Sequence, residues 1–378
     1  VAELLPAIAA LRLVDHHCHG VVSRDLERAE FEAMLTEADA ATPLGGTLFD
    51  SQVGFAVRRW CAPVLDLPRH ADPEEYLARR AQLGHPEVTR RFLGAAGLAA
   101  LCVDTGFATE PILSPSELAA AAGASGHEIV RLEQVAEQVA GEDGTAAGFA
   151  DAFRDRLRDR GETAVGVKSI AAYRVGLDLA ARRPTDDEIR VAAGRWLSSA
   201  AAGKAPRLAD EVLHRFLVWT AVDLRLPVQF HVGYGDRDVR LHRCNPLLLT
   251  DLLRAIEPSG VPVLLLHNYP YHREAGYLAQ VWSHVFLDVS LATHNLGRRS
   301  AALLAEALEL APFGKVLYAS DAYGLPELFY LGAVLFRQAL SDLLHDGVAA
   351  DAWTERDATR VAGLIGAGNA ERVYRLAG

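Results

Sequence analysis

The sequence predicts a distorted (β/α)8 barrel of the TIM type, with a helical insertion between its first two strands. Two observations carry that expectation. Eight short apolar or β-branched runs recur along the chain, each closing on polar residues and followed by a helix-like stretch, which is the rhythm of parallel strands joined by crossover helices. The rhythm is stretched far beyond an ordinary strand-to-helix connection right after the first run.

The first run is LRLVDHH (11–17), and the long interval 20–100 follows it. This interval holds TPLGGTLFDSQVGFAVRRWCAPVL and the helical-looking DPEEYLARRAQLG, so it is expected to be a helical insertion packed over the barrel mouth. The next runs are LCVDTG (101–106), EIVRLE (128–133) and AVGVKSI (164–170). A second enlarged connection, 171–226, carries DDEIRVAAGRWLSSAAAG and ADEVLHRFLVWTAVDLR, both with helical periodicity. PVQFHV (227–232), VPVLLLH (261–267), HVFLDVS (284–290) and KVLYASD (315–321) complete the set. A single domain over 1–378 accommodates all eight, since barrels routinely exceed the common domain size. A doubly wound sheet built from the same units is the competing topology.

Half of the residues are apolar and 23% are charged, an ordinary balance for a globular enzyme-sized chain. The formal charge of −11 argues against nucleic acid or a membrane surface as partner, because such proteins display a basic face. Cys18, Cys61, Cys102 and Cys244 are scattered without metal-type or redox-type spacing, and no apolar run has the length of a membrane helix. The expectation is a reduced, cytoplasmic protein acting on a small molecule, with a homo-oligomer as an option that no segment specifies.

The chemistry gathers at the ends of the runs. Residues two apart in a strand share a face, so His17 and His19 point one way and His16 and Cys18 the other. His231, His267 and Asp321 each terminate a run as well. In a barrel these ends converge, and such a set of N and O donors suits Zn2+, with Mn2+ or Fe2+ as alternatives. Asp321 is expected both to ligate and to take a proton, and His267 to ligate or to polarise a carbonyl. Glu133, closing the third run, is a carboxylate that could bridge ions or neutralise Lys168 on the fourth. Arg174 offers a bidentate donor to a carboxylate, while Tyr173, Tyr234, Asn268 and Asp104 follow strand ends where substrate contacts or loop caps are both usual. No cysteine has a helper for nucleophilic work, and no phosphate-loop motif follows a strand.

DHHCH, VKSIAAYRVGL, FHVGYGDRDVRL with NPLLL, LLLHNYPYHREAGYLA, DVSLATHN, YASDAYGLPELFYLGA and NAERVYRL resemble, in that order, the nodulin/FluG-type branch of the amidohydrolase superfamily. That branch also occurs fused to glutamine-synthetase-like domains. The resemblance implies a metal centre drawn from His17, His19, Lys168, His231, His267 and Asp321, with one or two ions. A carboxylated Lys168 would bridge two of them, and a Lys168–Glu133 pair would stand beside one.

From the residues and the resemblance together, the expected activity is metal-dependent hydrolysis of an amide-type C–N bond in a small carboxylate-bearing substrate. The fused relatives point to a γ-glutamyl or related amino-acid amide. Non-oxidative decarboxylation by the same superfamily is the alternative, and a metal-stabilised binding protein without turnover is the third.

Overall fold

The computed structural model describes residues 5–40, 44–108, 110–142, 144–199 and 207–376. The start of the expected insertion motif, Thr42 and Pro43, and the tail 200–203 of the expected helix lie outside the described residues. Seven strands are present: β1 (Leu13–Cys18), β2 (Leu98–Asp104), β3 (Ser125–Arg131), β4 (Gly166–Ser169), β5 (Val228–Val232), β6 (Val263–His267) and β7 (Val285–Leu287). They form one sheet whose neighbours follow chain order from β1 to β7. Strictly sequential neighbours are the signature of the barrel topology; in a doubly wound sheet the order would reverse at a switch point. Strands β1, β4, β5 and β6 are buried at every position, as parallel strands covered on both faces must be. No described helix is long and apolar enough to cross a membrane.

Two elements differ from the sequence expectation. The eighth run, KVLYASD, forms no ladder strand among the described residues. It lies extended beside β1 all the same: His16 N donates to Tyr318 O at 3.1 Å, Asp321 N to His17 O at 3.0 Å, and His19 N to Ala322 O at 2.9 Å. Between these rungs the side chain of Asp15 replaces backbone, its Oδ1 accepting from Ser320 N (2.9 Å) and its Oδ2 from Ser320 Oγ (2.5 Å). Asp321 then turns into the left-handed region at φ 53°. The second difference is EIVRLE, where β3 begins earlier and stops at Arg131. Glu133 falls in the first turn of the helix Leu132–Gly141, because Leu132, Val135, Ala136 and Val139 make a buried stripe of helical period that continues past it.

The chain divides into two compact units, Val1–His127 with Asp288–Arg372 and Leu376–Gly378, and Glu128–Leu287 with Val373–Arg375. In the first, the interval between β1 and β2 is helical, with Arg28–Ala33, Gln52–Ala56 and Pro73–Ala96 as its main pieces. Asp72 caps the last of these, accepting from Glu74 N at 2.9 Å, and Gly84 (φ 75°) kinks it two residues before Pro86. The interval has its own aromatic core: Phe31 stacks on Phe49 at 5.7 Å and meets Tyr76 at 6.0 Å, all three fully buried. Each such ring contributes about 1.5–3 kcal/mol through burial. In the second unit, the connection after β4 carries helices Asp186–Ser199 and Glu211–Asp223, and Gln229 on β5 donates to Tyr374 Oη at 2.8 Å.

The helix Pro326–Ala349 is tied to the interval by a buried ion pair. Arg80 Nε donates to Glu327 Oε1 at 2.8 Å and Tyr76 Oη to the same oxygen at 3.2 Å, with 5% and 0% of the Arg80 and Glu327 side chains exposed. Removing one member leaves the other charge buried and uncompensated. Glu327→Ala is therefore expected to lower stability by about 3–5 kcal/mol in urea unfolding, and a loss within the range of a surface substitution would contradict that.

Candidate metal centre

In the first unit, β1 ends by presenting two imidazoles on one side, as period-two alternation requires. His17 and His19 stand with ring centroids 5.2 Å apart and nearly perpendicular. Both aim Nε2 at the same atom: Asp321 Oδ1 lies 3.1 Å from His17 Nε2 and 3.4 Å from His19 Nε2. The three side chains are the group among the described residues whose ligand-type atoms all fall within 4.8 Å of one another. Asp321 reaches this position from the left-handed backbone that follows the Asp15–Ser320 contact, a conformation that aspartate tolerates better than most residues.

The neighbourhood sets the tautomer. His19 Nδ1 lies 3.2 Å from the Asp104 carbonyl, which can only accept, so Nδ1 carries the proton. In the neutral ring a lone pair on Nε2 then faces a carboxylate oxygen, an opposition that a cation shared between them removes. The donor set, two imidazole nitrogens and one carboxylate, thus fits a divalent ion of the zinc type. Asp104 also closes the turn beyond β2, accepting from Gly106 N at 2.8 Å.

On the opposite face of β1, His16 Nε2 meets Asp288 Oδ2 at 3.0 Å in full burial, while Asp288 Oδ1 accepts from Ser290 N and Oγ. Cys18 contacts the Cys102 carbonyl at 3.7 Å. Burial pushes all four thiols above the ordinary cysteine value, so none is a standing nucleophile. Burial likewise raises the Asp15 carboxyl to about 7, against the downward pull of its Ser320 hydrogen bonds.

The second unit holds the remaining candidates. His231 on β5 packs its ring against Tyr173 at 4.4 Å and against His267 at 4.5 Å, and its Nε2 lies 3.1 Å from the Tyr234 carbonyl. The register pairs His231 with Leu266 and Val232 with His267, which alternation would put on opposite faces. Left-handed backbone at His267 (φ 68°) and Asn268 (φ 64°) ends the alternation, and the rings meet. Asn268 Nδ2 donates to Leu265 O at 2.6 Å. Gly235 is needed here, because a Cβ would come within 2.2 Å of Tyr173 Oη and 3.1 Å of His231 Nε2.

Lys168 is buried on β4, in register with Arg131 on β3 and Gln229 on β5. Glu133 braces the end of that strand: its Oε1 accepts from Ser169 Oγ (2.8 Å) and Ile170 N (3.0 Å), and His214 Nε2 stands 3.6 Å away. Arg174 Nη1 donates to Glu137 Oε1 at 3.0 Å and to Leu208 O at 3.3 Å, and burial lowers its guanidinium below the ordinary arginine value. The sequence reading offers Asp104 as a substrate contact or loop cap after a strand end and does not show that its carbonyl meets His19 Nδ1. It also passed over Phe107 and Tyr323, whose rings pack beside His19 at 6.0 Å each, since an aromatic residue in a loop carries no periodic signal.

The triad makes a direct prediction. Dialysed protein is expected to retain about one zinc per chain, and His17→Ala or His19→Ala to weaken zinc binding by at least about tenfold; unchanged zinc content in both variants would remove the triad as the metal site.

No family model matches the chain. It is 36% identical over 225 residues to protein fluG of Emericella nidulans, a match covering 56% of this chain and 26% of that protein, so the chain accounts for about a quarter of that relative's length. The crystal structure of a candidate metal-dependent hydrolase from Lactobacillus casei ATCC 334 superposes with a TM-score of 0.85 at 32% identity, over 97% of this chain and 96% of that one. Uronate isomerase from Thermotoga maritima shares the fold, with a TM-score of 0.64 at 12% identity over 97% and 95% of the two chains. With 32% identity to that candidate metal-dependent hydrolase over nearly the whole of both chains, the chain belongs to the amidohydrolase superfamily, and it resembles the FluG-type branch.

Proposed function

We propose that the protein hydrolyses an amide-type C–N bond in a small carboxylate-bearing substrate, a γ-glutamyl or related amino-acid amide, at a centre holding one divalent cation, with zinc as the first choice. The observation that carries this reading is the aim of His17 Nε2 and His19 Nε2 at one oxygen of Asp321. The γ-glutamyl element rests on the resemblance to domains fused with glutamine-synthetase-like partners. A cation held by these three groups would supply Lewis acidity and a water of lowered pKa.

The residues supply the rest. Asp321, with 10% of its side chain exposed, is assigned to accept a proton and deliver it to the leaving nitrogen. His267 is assigned to the oxygen on which charge develops, and His231 to holding that ring in place through their 4.5 Å contact. Tyr173, Tyr234 and Asn268 are assigned to substrate contacts. Glu133 is engaged by Ser169, Ile170 and His214, which favours a bracing role for it and a single ion over a bridged pair. Arg174 is assigned to the substrate carboxylate, although Glu137 already shares its Nη1.

A panel of amino-acid amides tests the reaction class. Released amine or ammonia is the expected product, and released carbon dioxide would instead establish decarboxylation. Asp321→Asn is expected to reduce kcat by at least about a thousandfold while part of the zinc remains, and wild-type turnover in that variant would take Asp321 out of the reaction. Arg174→Met is expected to raise KM about tenfold for carboxylate-bearing substrates and to leave neutral analogues nearly unchanged. Equal effects on both would leave Arg174 as the partner of Glu137 alone.

A further inference from the structure

Phe107 and Tyr323 form an aromatic pair directly beside the metal-type triad, with ring centroids 4.9 Å apart. Each ring also stands 6.0 Å from the His19 ring, edge-on, at interplanar angles of 71° and 79°. Phe107 is 39% exposed, one of few large apolar side chains so placed among the described residues, whereas His19 beneath it is 8% exposed. Both rings come from short, tightly held turns. Phe107 follows the turn that Asp104 Oδ1 closes on Gly106 N. Tyr323 lies two residues past Asp321, where Ala322 O accepts from His19 N and Gly324 N donates to Gly20 O at 3.0 Å. The pair is therefore fixed relative to the ligands by backbone.

The pair leaves part of its surface in water, Phe107 being 39% exposed and Tyr323 intermediate. It gains once a flat apolar group covers it, through removal of apolar area from water and through ring-to-ring contact. Resting on the hydrolase reading above, we infer that Phe107 and Tyr323 form a specificity shelf, and that the preferred substrates are amides with an aromatic or similarly planar apolar group next to the bond cleaved. A small aliphatic amide would reach the same centre and leave the shelf bare.

The test uses two zinc-chelating probes that differ only in that group, acetohydroxamate and benzohydroxamate, titrated calorimetrically into zinc-loaded protein. Wild type is expected to bind benzohydroxamate about tenfold tighter than acetohydroxamate. In Phe107→Ala and in Tyr323→Ala that preference is expected to fall to about twofold, with zinc stoichiometry retained; Phe107→Leu, which keeps apolar bulk, is expected to fall between. A preference that survives both alanine variants overturns the shelf, as does a parallel weakening of both probes with loss of zinc, which would make the rings supports for His19. If neither probe binds zinc-loaded wild type, the metal-centre reading falls together with the shelf. If the probes discriminate as expected while no amide is hydrolysed, only the reaction class falls.

Discussion

The contact between the Asp15 carboxyl group and Ser320 is the constraint on which the candidate metal centre depends. Both oxygens are used, one on the backbone amide and one on the hydroxyl, and all of it is out of water. A carboxylate buried this deeply is unfavourable unless it is hydrogen-bonded; Ser320 supplies two donors and the His17 backbone a third, which oppose the burial that raises the group to about 7. The result fixes the segment after Tyr318 against β1 where regular ladder pairing gives out. Asp321 follows immediately, so its distance from His17 and His19 depends on this contact, whose carboxyl group also accepts from the His17 backbone.

The second unit solves its positioning problem differently. Around β4, β5 and β6 the devices are rings and left-handed backbone: Tyr173 and His267 flank His231, and Gly235 leaves the space that a methyl group would take from Tyr173. Glu133 takes the amide and hydroxyl donors where β4 ends, which sets the start of the short helix Ala171–Arg174 that carries Tyr173. Backbone held in sparsely populated conformations, as at His267 and Asn268, is maintained only where the surroundings over-determine it, and such places coincide with function more often than chance.

Much of this was legible in the sequence, and the reasons differ by residue. The pairing of His17 with His19 follows from period-two alternation, which is local and needs no tertiary knowledge. Asp321 could be picked out because an acid closes an apolar run, although the run itself did not become a ladder strand. That failure came from Asp15, whose partner is 305 residues away and so leaves no trace in a local pattern. Glu133 reads as the end of a strand because IVRL suits either period, and only the continuing stripe through Val139 decides for helix. Sequential strand order, which separates the barrel from a doubly wound sheet, is a property of pairing and is invisible to composition.

The left-handed conformation of Asp321 restricts what evolution or engineering can place there. Among non-glycine side chains, aspartate and asparagine enter this region most readily, because a short polar group can compensate through local hydrogen bonding. A longer acid would bring the same charge at the expense of a strained main chain, and a β-branched residue would be worse. The backbone thus restricts the donor chemistry available at the third position of the candidate triad, and a redesign aimed at a softer metal would have to rebuild the turn before changing the side chain.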